Sequence, residues 1–284
     1  MGLIENIKEK AKLDLRTIVL PESEDERVLL ATQQVLEEKT ANVVLIGDED
    51  TIKTDAQKCG ANIEGATIIN PKFFDNLEAY VDELVELRKK KGLTKEEATE
   101  IMTTEPRFFG CMMVRLGDAD GLVAGSNSPT ADVLRAAIQV IKTAPGINTV
   151  SSTFVMETAD GSFGDNGLIL FADCAVNPEP NAEQLADIAS ATAATASSVV
   201  GLEPRVAMLS FSTKGSAKHP LVDKVQYACD ILEERGVDFS FDGELQADAA
   251  IVEAIGAKKA PDSKVAGKAN VLVFPDLQSG NIGY

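Results

Sequence analysis

Short apolar runs, separated by helix-type segments from one end of the chain to the other, constrain this sequence more than anything else in it. The runs are RTIVLP (16–21), ANVVLIG (41–47), ATIIN (66–70), DGLVAG (120–125), VSSTFVM (150–156), LILFADCAV (168–176), RVAMLSF (205–211), DFSFDGEL (238–245) and NVLVFPD (270–276). Several are apolar at nearly every position, as a strand buried on both faces must be. Between them, ERVLLATQQVLEE (26–38), LEAYVDELVELRKKKG (77–92), ADVLRAAIQVI (131–141), AEQLADIASATAATASSVV (182–200) and LVDKVQYACDILEERG (221–236) place apolar residues at i, i+3 and i+4. Alternation of this kind predicts an α/β fold of mostly parallel, doubly wound sheets with helices on both faces.

Local signals punctuate the pattern. Thr94-Lys95-Glu96-Glu97 has the form of a capping box, and Gly92 the form of a helix stop just before it. The small residues of ASATAATASS (189–198) suit close helix packing, and the polar, Gly-rich ETADGSFGDNG (157–167) reads as a hairpin or edge loop. A Pro-Gly turn within Lys142 to Gly146 marks the expected boundary between two α/β domains, 1–146 and 147–284. A chain of 284 residues has room for both.

Charge narrows the function. Lys and Arg number 27 against 45 Asp and Glu, a net charge of −18 that repels phosphate backbones and anionic membranes. Nucleic acid and lipid are poor partners for such a chain. An anionic small ligand needs a local pocket of guanidinium, ammonium and amide donors to overcome that field. The four cysteines, Cys59, Cys111, Cys174 and Cys229, show no C-x-x-C spacing and suggest neither a zinc knuckle nor a disulfide framework. MGLIENIKEKAKLD reads as a charged amphipathic helix without the apolar core of a signal peptide, and no apolar stretch is long enough to span a bilayer, so a cytoplasmic location is expected.

In doubly wound folds the loops after the strands carry the ligands. The loop Gly125-Ser126-Asn127-Ser128-Pro129-Thr130 leads into the helix that carries Arg135. Hydroxyls and amides at a helix start bind anions, and Arg135 in the second turn can reach the same anion with its fork. The competing reading is a helix cap from Ser128 or Thr130, with Arg135 paired to an acidic neighbour. The loop Ser210 to His219 offers Ser212, Thr213, Lys214, Gly215 and Lys218 directly after a strand, a phosphate cradle without the GxxxxGK[ST] order of a triphosphate loop. A solvated loop with a cap is its alternative. The third loop, FPDLQSGNIGY (274–284), holds Gln278, Ser279, Gly280 and Asn281, and reads as a ligand-type loop that no helix follows.

His219, the only histidine, reads as a surface residue rather than a catalyst. Asp242, Glu244 and Asp248, like Asp118 and Asp120, read as loop-positioning carboxylates, with Mg²⁺ binding as the alternative. Cys174 is expected to be buried and inert.

LPESEDERVLLA (20–31), FFGCMMVRLGDADGLVAG (108–125), TADVLRAAIQVIKTAPG (130–146), LFADCAVNP (170–178), VAMLSFSTKGSAKH (206–219), DGELQADAA (242–250) and VLVFPDLQSGNIGY (271–284) together resemble the phosphate acetyltransferase (phosphotransacetylase) family, in that family's order across the whole chain. The resemblance implies reversible acetyl transfer between acetyl phosphate and coenzyme A, by direct thiolate attack in a ternary complex, without metal or other cofactor. It implies two domains similar to the isocitrate and isopropylmalate dehydrogenase fold, an active site in the cleft between them, and a homodimer. The family's phosphate-handling arginines match Arg135 and Arg88, and Ser126, Ser128, Thr130, Ser212 to Gly215 and Gln278 to Asn281 match its substrate-binding stretches.

Two departures stand out. Relatives often read GAxHTTADT where this chain has GSNSPTADV, so the middle of the loop before Arg135 differs and phosphate affinity or acyl preference, including a butyryl preference, is expected to vary with it. The family also continues past NIGY into a helix and a motif near N-D-L-S-R-G-x-S-x-E-D-I. Its Ser, Arg and Asp are assigned to substrate binding and thiol deprotonation, and a polypeptide lacking them is expected to transfer acetyl poorly, because a thiol of pKa about 8.5 needs a base or charge nearby. The alternatives are a non-catalytic acetyl phosphate or acetyl-CoA binding module and, on the carboxylates Asp242 and Asp248, a metal-dependent dehydrogenase.

Overall fold

Each of the expected apolar runs becomes a strand in the computed structural model, which describes residues 2–284. The chain divides into two units, 1–142 and 143–284. The first begins with α1 (Leu3–Leu13), β1 (Thr17–Leu20), α2 (Glu26–Glu38), β2 (Asn42–Ile46), α3 (Glu49–Cys59) and β3 (Thr67–Ile69). It continues through α4 (Leu77–Arg88), α5 (Lys95–Thr104), α6 (Pro106–Leu116), β4 (Gly121–Leu122) and α7 (Thr130–Val140). Its sheet runs β3-β2-β1-β4 with every pairing parallel. One face packs Leu29, Val43, Leu45, Ile52 and Ala56, and the other Val19, Tyr80, Leu84, Phe109 and Met112.

The second unit contains β5 (Phe154–Glu157), β6 (Leu168–Ala172), α8 (Ala182–Thr195), β7 (Arg205–Leu209), α9 (Pro220–Arg235) and β8 (Ser240–Leu245), followed by α10 (Ala247–Ile251), α11 (Glu253–Lys259), β9 (Val271–Val273) and α12 (Leu277–Gly283). Its sheet runs β5-β6-β9-β7-β8, parallel except for β5, which meets β6 antiparallel across the polar segment read as a hairpin. The small residues of α8 lie buried against β6, β7, β9 and α9, where Ala186, Ala189 and Ala193 admit a close approach. No described helix is long and apolar enough to cross a membrane.

Local chemistry sets the boundaries. Thr94 and Glu97 form the capping box in both directions, and Gly92 ends the preceding turn in a left-handed conformation. The terminal segment departs from expectation. FPDLQSGNIGY is not a helix-free loop, because residues 277–283 form α12. Asp276 caps that helix by accepting from the Ser279 amide at 2.7 Å, a signal that two glycines obscure in the sequence. Gly280 is required by close approach, since a Cβ there would sit 2.5 Å from the Asp173 carbonyl oxygen.

Candidate functional site

The first candidate loop follows β4 and turns at Gly125, whose φ of 112° an L side chain rarely adopts. Its open amides do not face solvent. Glu22, just beyond β1 and 4% exposed, accepts on Oε2 from the Gly125 amide, the Ser126 amide and the Ser126 hydroxyl at 2.8, 2.8 and 2.7 Å. Burial opposes ionisation of this carboxyl, yet the Ser128 and Ser126 hydroxyls and the two amides outweigh it and hold the acid at about 2. The loop already contains its own anion. Oε1 of Glu22 is buried and has no hydrogen-bond partner among the described residues.

Two arginines absent from the sequence-based site grip the outside of this loop. Arg27, in the first turn of α2, donates to the Ser126 carbonyl and pairs with Asp25. Arg107, in the first turn of α6 and 23% exposed, donates to the Ser128 hydroxyl at 2.7 Å and pairs with Glu105 at 3.0 Å. Both lie where a helix starts at the carboxyl end of the sheet, and that position is the signal that could have found them. Neither Ser128 nor Thr130 caps α7, whose N-cap is Pro129. Asp132 and Val133 amides bond the Pro129 carbonyl, while among the described residues the Thr130 and Ala131 amides form no backbone bond. Arg135 stands beside them, 57% exposed and paired with Asp132 at 2.7 Å.

Arg88 comes from a different helix. It ends α4, past Glu83, which pairs with Arg115 where Arg115 also reaches the Val140 carbonyl at the far end of α7. Among the described residues Arg88 forms no hydrogen bond or ion pair with the loop of Ser126, Ser128 and Thr130.

The second loop follows β7 and also encloses a carboxylate. Glu244, on β8 and 1% exposed, accepts from the Ser212 hydroxyl at 2.8 Å, the Gly215 amide at 2.8 Å and Gln226 at 2.9 Å. Burial raises its pKa, but the Gly215 amide, Gln226 and Ser212 together bring it below the ordinary range. Thr213 bonds Ser216 through its amide and accepts from the Gln246 amide through its hydroxyl. Lys214 turns onto Asp242 and the Gly243 carbonyl instead of remaining open. Asp242 and Glu244 therefore shape the loop, and among the described residues no group of three or more His, Cys, Asp or Glu side chains is arranged to hold a metal.

A third carboxylate, Asp173, follows β6 and accepts from Ser152, from the amides of Ala175, Val176 and Asn177, and from the Asn177 side chain. Burial works against it, and these donors still lower its pKa. Asn281 donates to the adjacent Cys174 carbonyl at 3.2 Å, so Gly280 and Asn281 dock α12 on this turn. Ser210 and Ser279 are brought together at a mostly apolar cavity of about 310 Å³, walled by Phe211, Leu221, Phe274 and Pro275.

Protein nucleophiles are scarce. Burial pushes Cys111 and Cys174 up to about 11 and Cys229 up to about 12, so all three remain thiols at neutral pH. His219 caps α9, accepting from the Leu221 amide at 3.2 Å through Nδ1. A bound anion beside Arg135 and an attacking group supplied by a second substrate fit this inventory.

Comparisons with known proteins agree. The model of the phosphate acetyl/butaryl transferase family matches residues 2–284. A phosphate acetyltransferase of Thermoanaerobacterium thermosaccharolyticum is 54% identical over 284 residues, covering 100% of this chain and 86% of the relative. One of Clostridium acetobutylicum is 50% identical, covering 100% and 85%. The crystal structure of a phosphotransacetylase from Streptococcus pyogenes superposes with a TM-score of 0.93 at 43% identity, covering 100% of this chain and 85% of that one.

Proposed function

The chain belongs to the phosphate acetyl/butaryl transferase family, and from that membership we propose that it interconverts acetyl phosphate plus coenzyme A with acetyl-CoA plus inorganic phosphate. The observation that carries the reading is the family match across the described chain, at 54% identity to a phosphate acetyltransferase. The coenzyme's sulfur, as thiolate, bonds to the acetyl carbon. The bond from that carbon to the bridging oxygen breaks, and phosphate leaves with the electron pair.

The chain's own groups suit this chemistry. Its buried thiols are protonated and its one histidine is spent as a cap, which leaves the substrate thiol as the nucleophile. The Thr130 and Ala131 amides at the start of α7, with Arg135 one turn further on, offer donors to the phosphoryl oxygens and to the charge that grows on the leaving group. Within the second unit, the apolar cavity beside Ser210 and Ser279 suits an uncharged group rather than a dianion. The reaction as written needs no metal or prosthetic group.

Replacement of Arg135 with Ala tests the assignment. We expect kcat/KM for acetyl phosphate to fall by about a hundredfold, in line with loss of a donor to developing charge. An unchanged value removes Arg135 from the site.

A further inference from the structure

We infer that Arg107 is a positioning residue for the phosphate side of this reaction, acting through the Ser128 hydroxyl to hold the loop from which α7 starts; the inference rests on the proposed acetyl transfer.

The observation is a chain of alternating charge threaded through one loop. Glu105 pairs with Arg107, Arg107 donates to the Ser128 hydroxyl, and the Ser128 hydroxyl helps depress the pKa of Glu22. Glu22 in turn collects the Gly125 and Ser126 donors, and the Ser126 carbonyl receives Arg27, which pairs with Asp25. Glu22 and Arg27 hold the loop at Gly125 and Ser126, and Arg107 holds it at Ser128.

Ser128 is the joint. A hydroxyl has one proton and two lone pairs, so a hydroxyl that accepts from Arg107 must aim its own proton elsewhere. The Ser128 hydroxyl contributes to the low pKa of Glu22, but Glu22 Oε1 has no hydrogen-bond partner among the described residues, so Arg107 is the side chain that holds Ser128 in place. By accepting at 2.7 Å from a guanidinium that Glu105 also holds, Ser128 is tied to the start of α6. Pro129 and Thr130 follow at once, so the conformation imposed on Ser128 sets where the Thr130 and Ala131 amides and Arg135 point. Arg107 itself is bound to Glu105 and Ser128 and is mostly buried, which suits a brace rather than a ligand-binding fork.

A brace on the phosphate side affects one substrate and not the other. Inorganic phosphate is titrated calorimetrically into the wild type, Arg107→Met, Arg107→Lys, Ser128→Ala and the Arg107→Met/Ser128→Ala double variant, and KM is measured for acetyl phosphate and for coenzyme A. Phosphate affinity in Arg107→Met is expected to fall about tenfold, as misplacement of a positioned group does, with KM for acetyl phosphate rising in step. KM for coenzyme A is expected to stay within about twofold, since no interaction with that substrate has been removed. Arg107→Lys recovers part of the loss. Ser128→Ala reproduces it, and the double variant is no worse than either single one, because the two residues form one connection.

Phosphate affinity in Arg107→Met equal to wild type, a parallel rise in both KM values, or single effects that multiply in the double variant would each overturn the inference. Ser128→Ala removes only a hydroxyl and carries the test if Arg107→Met does not fold. A wild type that forms no acetyl-CoA sinks the proposed function, whereas the phosphate titration still judges Arg107.

Discussion

The loops after β4 and β7 are built on the same plan and finish with different surfaces. Each wraps serine hydroxyls and backbone amides around a buried glutamate, Glu22 in one and Glu244 in the other. In the first, the cations approach from outside: Arg27 and Arg107 grip the loop, and Arg135 stands exposed beside two open amides. In the second, Lys214 is drawn onto Asp242 and the Ser212 and Thr213 hydroxyls are engaged within the loop, with an apolar cavity alongside. A serine- and glycine-rich loop after a strand therefore does not by itself offer an anion site. What matters is whether donors remain once the internal carboxylate has been served.

The difference can be broken or sharpened by substitution. Glu244→Ala removes the acceptor of the buried Ser212 hydroxyl and of the part-buried Gly215 amide and Gln226 side chain, and should destabilise the protein by about 2–3 kcal/mol in urea unfolding. Loss of stability within error would show that the second loop does not depend on its carboxylate.

Glu22→Gln should have a smaller effect, about 1–2 kcal/mol at pH 7, with a distinctive pH dependence. The native acid sits at about 2, below an ordinary glutamate. A depressed native pKa gives stability that is fully present above the unfolded value and is lost as pH falls through the native one. The gap between wild type and Glu22→Gln should therefore be widest at neutral pH and narrow between roughly pH 5 and 2. A gap that is constant with pH would assign the loss to shape rather than to charge.

Lys214→Met should have the smallest effect. Its ion pair with Asp242 is partly exposed and worth about 1 kcal/mol or less. KM for acetyl phosphate should change far less than in Arg135→Ala, and an equal change would return the second loop to the phosphate side.

Much of the fold was legible because burial on both faces leaves an apolar run in the sequence. All the strand runs and the capping box at Thr94 form as read, as do the hairpin before β6 and the small-residue packing of α8. The missed helix α12 had its cap in plain view at Asp276, but two glycines in seven residues outweighed it. The site was legible only in part. Ser126, Ser128, Thr130 and Arg135 do gather after β4, whereas Arg88, at the end of α4, forms no hydrogen bond or ion pair with them among the described residues. Glu22, Arg27 and Arg107 were not found, because their partners are 103, 99 and 21 residues away in sequence.

The sequence alone determined the periodicities, and with them which segments become strands, where the strongly amphipathic helices lie and which family the chain resembles. Those signals are local, carried by neighbours within a turn or two. Only the tertiary structure decided which hydrogen-bond donors are already used. A buried carboxylate must be matched by donors from wherever the fold brings them, so Glu22 engages Gly125 and Ser126, and Glu244 engages Ser212 and Gly215.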